Sequence, residues 1–291
     1  VKGALIVTYN PSQTQTLLLL EQLANQTDVL VVIDNSKRSP QWLQEACFNS
    51  DIELKHYSTN VGLANAHNTG LQYLNERGCE VGFIFDQDSE IDDSFVTQMV
   101  SEYKKAKQSE NIAAVGPQVV CKFINEDVKP RVQKRAPITS GVDRASQIIS
   151  SGMMVNLKLF SRIGSKDERL FIDGVDHEWC WRANSLGYSV GIVNSVKMIH
   201  ELGDSRSRFL GFTYKVGSPI RLYYQFRNNL LLSRRGYVPL YWKCRNLSLM
   251  MIKLVSMVIN HTDRKQRLKY MLLGIRDGVT GRSGKLKLKS K

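Results

Sequence analysis

Cysteine is scarce and scattered in this chain. Its 291 residues hold five (Cys47, Cys79, Cys121, Cys180 and Cys244), none of them in a Cys-x-x-Cys pair. That spacing excludes a disulfide frame and a zinc site built from paired thiols, and it suits free thiols in a reducing compartment. No run of the roughly 20 uninterrupted apolar residues needed to span a bilayer is present. The first residues lead straight into Ala4-Leu5-Ile6-Val7 without a basic stretch or cleavage site, so no signal peptide is expected. Internal repeats, helix-turn-helix patterns and zinc fingers are also missing, which weighs against DNA recognition. Acidic residues nearly vanish from the last third. Residues 205–291 carry 20 Lys and Arg against only Asp263 and Asp277, a net of +18, whereas the first 204 residues carry 20 against 25 acids, a net of −5. A basic segment of this kind seeks phosphate, on nucleic acid or on an anionic membrane surface.

What is present is ordinary globular material, 42% hydrophobic and 23% charged, with enough apolar mass for a core. Short β-branched runs at Ala4–Thr8, Val29–Ile33, Ile52–Tyr57, Val81–Phe85 and Ala113–Val119 read as strands. Between them Thr14–Asn25, Pro40–Phe48, Leu63–Glu76 and Asp92–Lys107 have helical spacing. The alternation predicts an α/β fold with a mostly parallel sheet covered on both faces. Residues 121–150 read as a long polar excursion, 174–187 as a helix, Val190–Val193 and Val196–Ile199 as short strands, and Ile220–Ser233 and Leu240–Asn260 as helices. The expected division is a nucleotide-binding and catalytic domain over 1–204 and a basic helical region over 205–291. Leu247–Ile259 is apolar but broken by Lys253. It reads either as an in-plane amphipathic helix or as a helix packed on its own protein.

In a parallel sheet, ligands bind outside the carboxyl ends of the strands. Three polar clusters fall at such ends: Thr8-Tyr9-Asn10, Asp34-Asn35-Ser36 and Asp86-Gln87-Asp88. Asp86 and Asp88 directly follow the apolar run Val81–Phe85, a poor place for core residues and a good one for holding a hard cation against phosphate. A solvated acidic loop is the plain alternative. Asp34 can accept from a pyrimidine imide or a ribose hydroxyl, while Thr8 and Tyr9 offer a hydroxyl and a ring face; Asp34-Asn35-Ser36 also reads as a simple turn. The segment Asn60-Val61-Gly62-Leu63-Ala64-Asn65-Ala66-His67-Asn68-Thr69-Gly70 has small residues where a helix start would approach a nucleotide, its free N–H groups facing phosphate. Ordinary helix packing uses the same residues. The first strand is not followed by the Gly-rich, Arg-bearing loop of a nucleotidyltransferase.

In this order, these motifs resemble the inverting glycosyltransferases of family 2, which have the GT-A fold, over about residues 3–200. The form Phe85-Asp86-Gln87-Asp88-Ser89 is most similar to the bacterial branch that uses dTDP-rhamnose. The resemblance implies that Thr8, Tyr9, Asn10, Asp34, Asn60, Gly62, Asn68, Asp86 and Gln87 line the nucleotide-sugar site. It implies that Asp88, with Asp86 and His200, holds Mg²⁺ or Mn²⁺; imidazole suits Mn²⁺ better. In the family an acidic pair followed by an Arg marks the helix of the catalytic base. Here Val175-Asp176 stands before Arg182, which implies Asp176 as base and leaves Asp173 as a rival. Ser151-Gly152 resembles the loop beside the acceptor, and Glu178 and Trp179, on the Asp176 segment, are expected to meet the acceptor as well. Trp179 and Trp181 could face sugar rings, with one of them expected in the core. Tyr223-Tyr224-x-x-Arg227-Asn228 resembles a segment of rhamnosyl- and galactofuranosyltransferases that either holds phosphate or packs a helix.

The function implied is transfer of L-rhamnose from dTDP-rhamnose to a lipid-linked oligosaccharide in bacterial surface polysaccharide synthesis. The expected location is cytoplasmic, peripheral on the inner face of the plasma membrane, with an anionic membrane surface as partner and no nucleic acid. UDP-galactofuranose or UDP-N-acetylglucosamine is the alternative donor, and a basic nucleic-acid-binding protein is the alternative outside enzymes.

Overall fold

The computed structural model describes residues 1–121, 126–127, 136–200, 205–209, 212–260 and 263–287. The first half alternates strand and helix: β1 (Lys2–Thr8), α1 (Gln13–Ala24), β2 (Val29–Asp34), α2 (Gln41–Asn49), β3 (Glu53–His56), α3 (Leu63–Glu76), β4 (Val81–Asp86), α4 (Phe95–Ser109) and β5 (Ile112–Cys121). Then come β6 (Glu126–Asp127), β7 (Val142–Arg144), β8 (Met153–Asn156), α5 (Leu157–Ile163), α6 (Val175–Ser185) and β9 (Ser189–His200). A two-stranded ribbon of β10 (Ser205–Phe209) and β11 (Phe212–Val216) precedes α7 (Pro219–Ser233), α8 (Leu240–Asn260) and α9 (Arg264–Thr280).

The main sheet has the order β3-β2-β1-β4-β8-β5-β9-β7, with β6 beside β5. β3, β2, β1 and β4 pair in parallel, as do β5 and β9. β8 enters antiparallel between β4 and β5. The sheet is thus mostly parallel, as the alternating pattern predicts, with one reversed strand at its centre. β1, β4 and β8 are buried on both faces, as strands covered by helices on each side must be. One apolar cluster joins α1, α2 and α4 to one face, and a second joins α3, α5 and α6 to the other.

The two short strands expected at 190–199 are one strand. β9 follows β5 with a register shift at Pro117/Gln118, where residues 194–196 bulge out. The chain order reverses between β1's two neighbours, β2 and β4, which opens a crevice above their carboxyl ends. No helix among the described residues is long and apolar enough to cross a membrane.

Candidate active site

The three polar clusters converge. Thr8 ends β1 opposite Asp34 of β2, and Val7 lies opposite Asp86 of β4. Thr8 Oγ1 donates to Asp34 Oδ1 at 2.9 Å, and Ser36 donates to the same oxygen from its N–H (3.1 Å) and its hydroxyl (2.6 Å). Asp34 Oδ2 is buried with no hydrogen-bond partner, and His56 Nε2 stands 4.0 Å from it. Leaving such an acceptor unmatched costs about 1–3 kcal/mol, so the wall holds an acceptor in want of a donor. Tyr9 donates its N–H to Gln87 Oε1 at 2.7 Å, tying the β1 loop to the β4 loop. Asn10 takes a left-handed φ of 48° and donates its N–H to Ser36 Oγ at 2.8 Å. The Tyr9 ring is 53% exposed, a free face at the crevice rim.

Asp86 is half-buried at the end of β4, and Asp88 is exposed two residues on. Among the described residues no group of three His, Cys, Asp or Glu forms a closed metal cage. Carboxylate oxygens are the donor chemistry that Mg²⁺ and Mn²⁺ take, with water and phosphate oxygens in their remaining positions. His200 ends β9, but its side chain lies outside the described residues.

The start of α3 does different work from that expected of it. The Phe171 carbonyl accepts from Leu63 N at 2.7 Å and Ala64 N at 3.5 Å, so these helix N–H groups face protein, not phosphate. Gly62 has a φ of +90°, and a Cβ there would come within 2.6 Å of the Phe171 ring and 2.8 Å of its carbonyl. Its smallness thus serves Phe171. Asn60 Oδ1 accepts the Gly62 N–H, and the Asn60 carbonyl accepts from Lys285 Nζ at 2.9 Å. Asn68 grips the peptide of Lys166 from both sides: its Oδ1 accepts from Lys166 N (2.8 Å) and its Nδ2 donates to Lys166 O (2.9 Å). Gly70 lets α3 lie against Leu5 of β1. The Asn60 Oδ1 and carbonyl, the Gly62 N–H and both ends of the Asn68 amide are thus engaged by residues 166–168, their own turn and the chain end, a scaffold role beside the nucleotide-facing one expected of them.

Asp176 sits in the first turn of α6, half-buried. Its Oδ2 accepts from Ser150 N at 3.2 Å and its Oδ1 from His177 N at 2.9 Å. The neighbouring Ser151 shares a 2.6 Å hydroxyl contact with Ser89, and Gly152 N–H donates to the Ile84 carbonyl at 2.8 Å. The Ser150-Ser151-Gly152 loop therefore joins the Asp86–Asp88 wall to Asp176. Asp173 is held otherwise: Arg221 of α7 binds both its carboxylate oxygens at 3.0–3.2 Å.

Glu178 and Trp179 point inward. Glu178 accepts from Arg182 Nε (2.9 Å) and Tyr237 OH (2.6 Å) and pairs with Arg235 (3.1 Å). Turning it toward an acceptor would break bonds worth about 1.5–3 kcal/mol each. Trp179 is wholly buried against Phe160, its Nε1 donating to the Gly164 carbonyl at 2.9 Å. Both side chains expected to meet the acceptor are thus buried and engaged by protein. Trp181 is buried too, donating to Gln147 and meeting Trp242 edge-on.

The Tyr223-Tyr224-x-x-Arg227-Asn228 segment clamps the loop before the α6 carboxylate. Asn228 Nδ2 donates to the carbonyls of Leu170 (3.0 Å), Ile172 (2.6 Å) and Asp173 (2.9 Å). Arg227 donates to those of Leu170 (2.8 Å), Arg169 (3.2 Å) and Gly284, over the rings of Tyr223 and Tyr224. The loop needs holding. Phe171 (φ 65°, ψ −60°) centres a γ-turn closed by Ile172 N to Leu170 O at 2.8 Å, and Asp173 has a φ of 62°. Backbone of this kind costs about 1–3 kcal/mol per residue. The chain end completes the clamp: Leu286 N donates to Tyr224 OH at 3.0 Å, and Gly284 N to the Arg169 carbonyl.

Two residues with no sequence signal also lie here. Lys166 is 1% exposed, and its Nζ meets His67 Nδ1 at 3.2 Å and Ser150 Oγ at 3.5 Å. Burial pulls its amine down to about 8, against the opposing pull of Asp176, Cys180, Asp86 and Glu178. Burial, and then the Lys166 charge, hold His67 well below the ordinary imidazole value. The buried thiols are no nucleophiles: burial pushes Cys180 up to about 12 and Cys47 up to about 11.

Comparison with known proteins bears on this site. Residues 4–163 match the family model "Glycosyl transferase family 2". The dTDP-rhamnosyl transferase RfbF of Shigella flexneri is 34% identical, with the alignment covering 97% of this chain and 96% of that protein. The low-salt glycan biosynthesis hexosyltransferase Agl10 of Haloferax volcanii is 24% identical over 88% of this chain and 84% of its own length. Among solved structures, GalNAc-T7 with UDP, GalNAc and Mn²⁺ superposes with a TM-score of 0.60 at 14% identity; 96% of this chain covers 56% of that one. The S. aureus TarS fragment 1–349 in complex with UDP-GlcNAc superposes with a TM-score of 0.57 at 14% identity, over 96% and 81% of the two chains. At these identities the structural likeness is one of fold.

Proposed function

The chain belongs to glycosyltransferase family 2 and has the GT-A fold, and from that premise we propose that it transfers L-rhamnose from dTDP-rhamnose to a lipid-linked oligosaccharide, inverting the anomeric centre. The observation that carries the donor is the near full-length similarity to a dTDP-rhamnosyl transferase. Thr8, Tyr9 and Asp34 form the nucleotide wall, the unmatched Asp34 Oδ2 being the complement of a pyrimidine imide N–H.

Asp176 is the base. Its carboxylate takes the proton of the acceptor hydroxyl as that oxygen bonds to the anomeric carbon. The bond from that carbon to the diphosphate oxygen breaks, and its electron pair leaves with dTDP. Two observations support Asp176 over Asp173: Arg221 occupies both oxygens of Asp173, and Ser150 and Ser89–Ser151 link Asp176 to the wall at β4. Asp86 and Asp88 would hold Mg²⁺ or Mn²⁺. When bound, the ion neutralises charge that develops on the departing diphosphate.

The lipid-linked acceptor is supported by α8. Its inner face (Met250, Met257) packs on α7 and α9. Its outer face presents Leu247, Met251, Val255 and Ile259 at four-residue spacing, 38–64% exposed. Exposed Arg245, Arg264, Lys265 and Lys269 flank it. An apolar row among cations suits the surface of an anionic membrane, where such acceptors lie.

The base assignment is tested with Asp176→Asn. Turnover is expected to fall at least about 100-fold, the usual contribution of a general base, while dTDP affinity stays within about twofold. Near-normal turnover would overturn it.

A further inference from the structure

Lys166 is a cation without solvent. It follows α5 in the loop before α6, yet the side chain is 1% exposed and its peptide is held on both sides by Asn68. A buried ammonium needs compensation, since an unpaired charge in a low-dielectric interior is costly. Its direct partners, His67 Nδ1 and Ser150 Oγ, are neutral acceptors. With Nδ1 accepting, the His67 proton sits on Nε2, which has no partner. The titratable groups that act on Lys166 come from two elements: Asp176, Glu178 and the thiol of Cys180 on α6, and Asp86 of β4. His67 faces it from α3. Glu178 is already neutralised by Arg182 and Arg235. Asp176 of α6 and Asp86 of β4 are the other carboxylates that act on Lys166.

We propose that Lys166 is a positioning residue for sugar transfer: its ammonium fixes the Ser150 loop against α3 and offsets the negative charge that Asp86 and Asp176 bring together. The inference rests on Asp176 being the base. It accounts for the double grip of Asn68, which sets the Lys166 backbone, and for a buried imidazole whose hydrogen-bond partner among the described residues is an amine. It also gives Ser150 two tasks on one residue, accepting from Lys166 and donating its N–H to Asp176.

The charge is lost as pH rises through the amine's value of about 8. Turnover of the wild type is therefore expected to decline with one deprotonation near that pH. The test is Lys166→Gln, which keeps N–H donors for His67 and Ser150 but removes the charge. The expected result is a fall in kcat of at least about tenfold, the scale of a misplaced reacting group, with dTDP affinity within about twofold and the alkaline limb abolished. A kcat within about twofold of wild type, or an alkaline limb unchanged in the variant, overturns the proposal. A merely structural lysine would leave that limb in place. If Lys166→Gln does not fold, the ¹³Cε resonance of Lys166 is titrated in the wild type and in Asp176→Asn. The midpoint should drop when the carboxylate is removed, and an identical midpoint overturns the proposal. Failure of the base assignment is read separately, as near-normal turnover of Asp176→Asn.

Discussion

Asp86 and Asp88 are two residues apart and live in different surroundings: the first half-buried at the end of β4, the second exposed beyond it. Asp88 is the better placed to meet a hydrated cation, and the half-buried Asp86 is near enough to Lys166 to act on its charge. Asp88→Ala is therefore expected to weaken Mg²⁺- or Mn²⁺-dependent binding of dTDP-rhamnose at least about tenfold, on the scale of one lost charged ligand. Isothermal titration with and without metal measures this. Transfer that continues unchanged in excess chelator would remove the metal from the account. At this scale Thr8, Asp34 and Asp86 were legible because each ends an apolar run. The partners of Gly62 and Asn68 were not, since Phe171 and Lys166 lie about a hundred residues on. A small residue that admits a nucleotide and one that admits a phenylalanine ring look alike in sequence. The surroundings of Glu178 were hidden for a related reason: two of its partners, the Arg235 guanidinium and the Tyr237 hydroxyl, come from beyond α7.

Among the elements, α3 and α7 hold one loop from two sides. α3 caps itself on the Phe171 carbonyl, and Asn228 and Arg227 of α7 take the carbonyls around it. The left-handed residues before α6 are thereby fixed, and with them the turn that carries Asp176. The Tyr-Tyr-x-x-Arg-Asn pattern was visible in sequence, but its target was not, because backbone carbonyls leave no signature. α8 belongs at this scale too. Its apolar face is too wide for one helix–helix contact, and the structure packs only one side of it. The pair Met251→Glu and Ile259→Glu is expected to reduce binding to phosphatidylglycerol-rich vesicles at least about tenfold, since each buried apolar side chain is worth about 1.5–3 kcal/mol. Vesicle flotation reads the result. Binding equal to wild type, or no binding by the wild type, would remove the membrane surface from the account.

For the whole molecule, strand–helix alternation predicted the first five strands and four helices nearly to their ends. Beside β7 and the β10–β11 ribbon, which fall where no strand was expected, two features of the sheet interior escaped it. Met153–Asn156 lies antiparallel inside an otherwise parallel region, because a short apolar run carries no direction. The bulge that keeps β9 continuous mimics a strand break. Neither displaces the crevice, which depends on β1, β2 and β4. The architecture accommodates many sugar donors, so the donor is the claim that fold alone does not reach. The most direct measurement is nucleotide diphosphate release from dTDP-L-rhamnose, set beside UDP-galactofuranose, UDP-N-acetylglucosamine and GDP-sugars under one set of conditions. The account predicts kcat/KM for dTDP-rhamnose at least about 100-fold above every competitor, the discrimination a site with matched polar groups reaches readily. A UDP- or GDP-sugar turned over as fast or faster would contradict it.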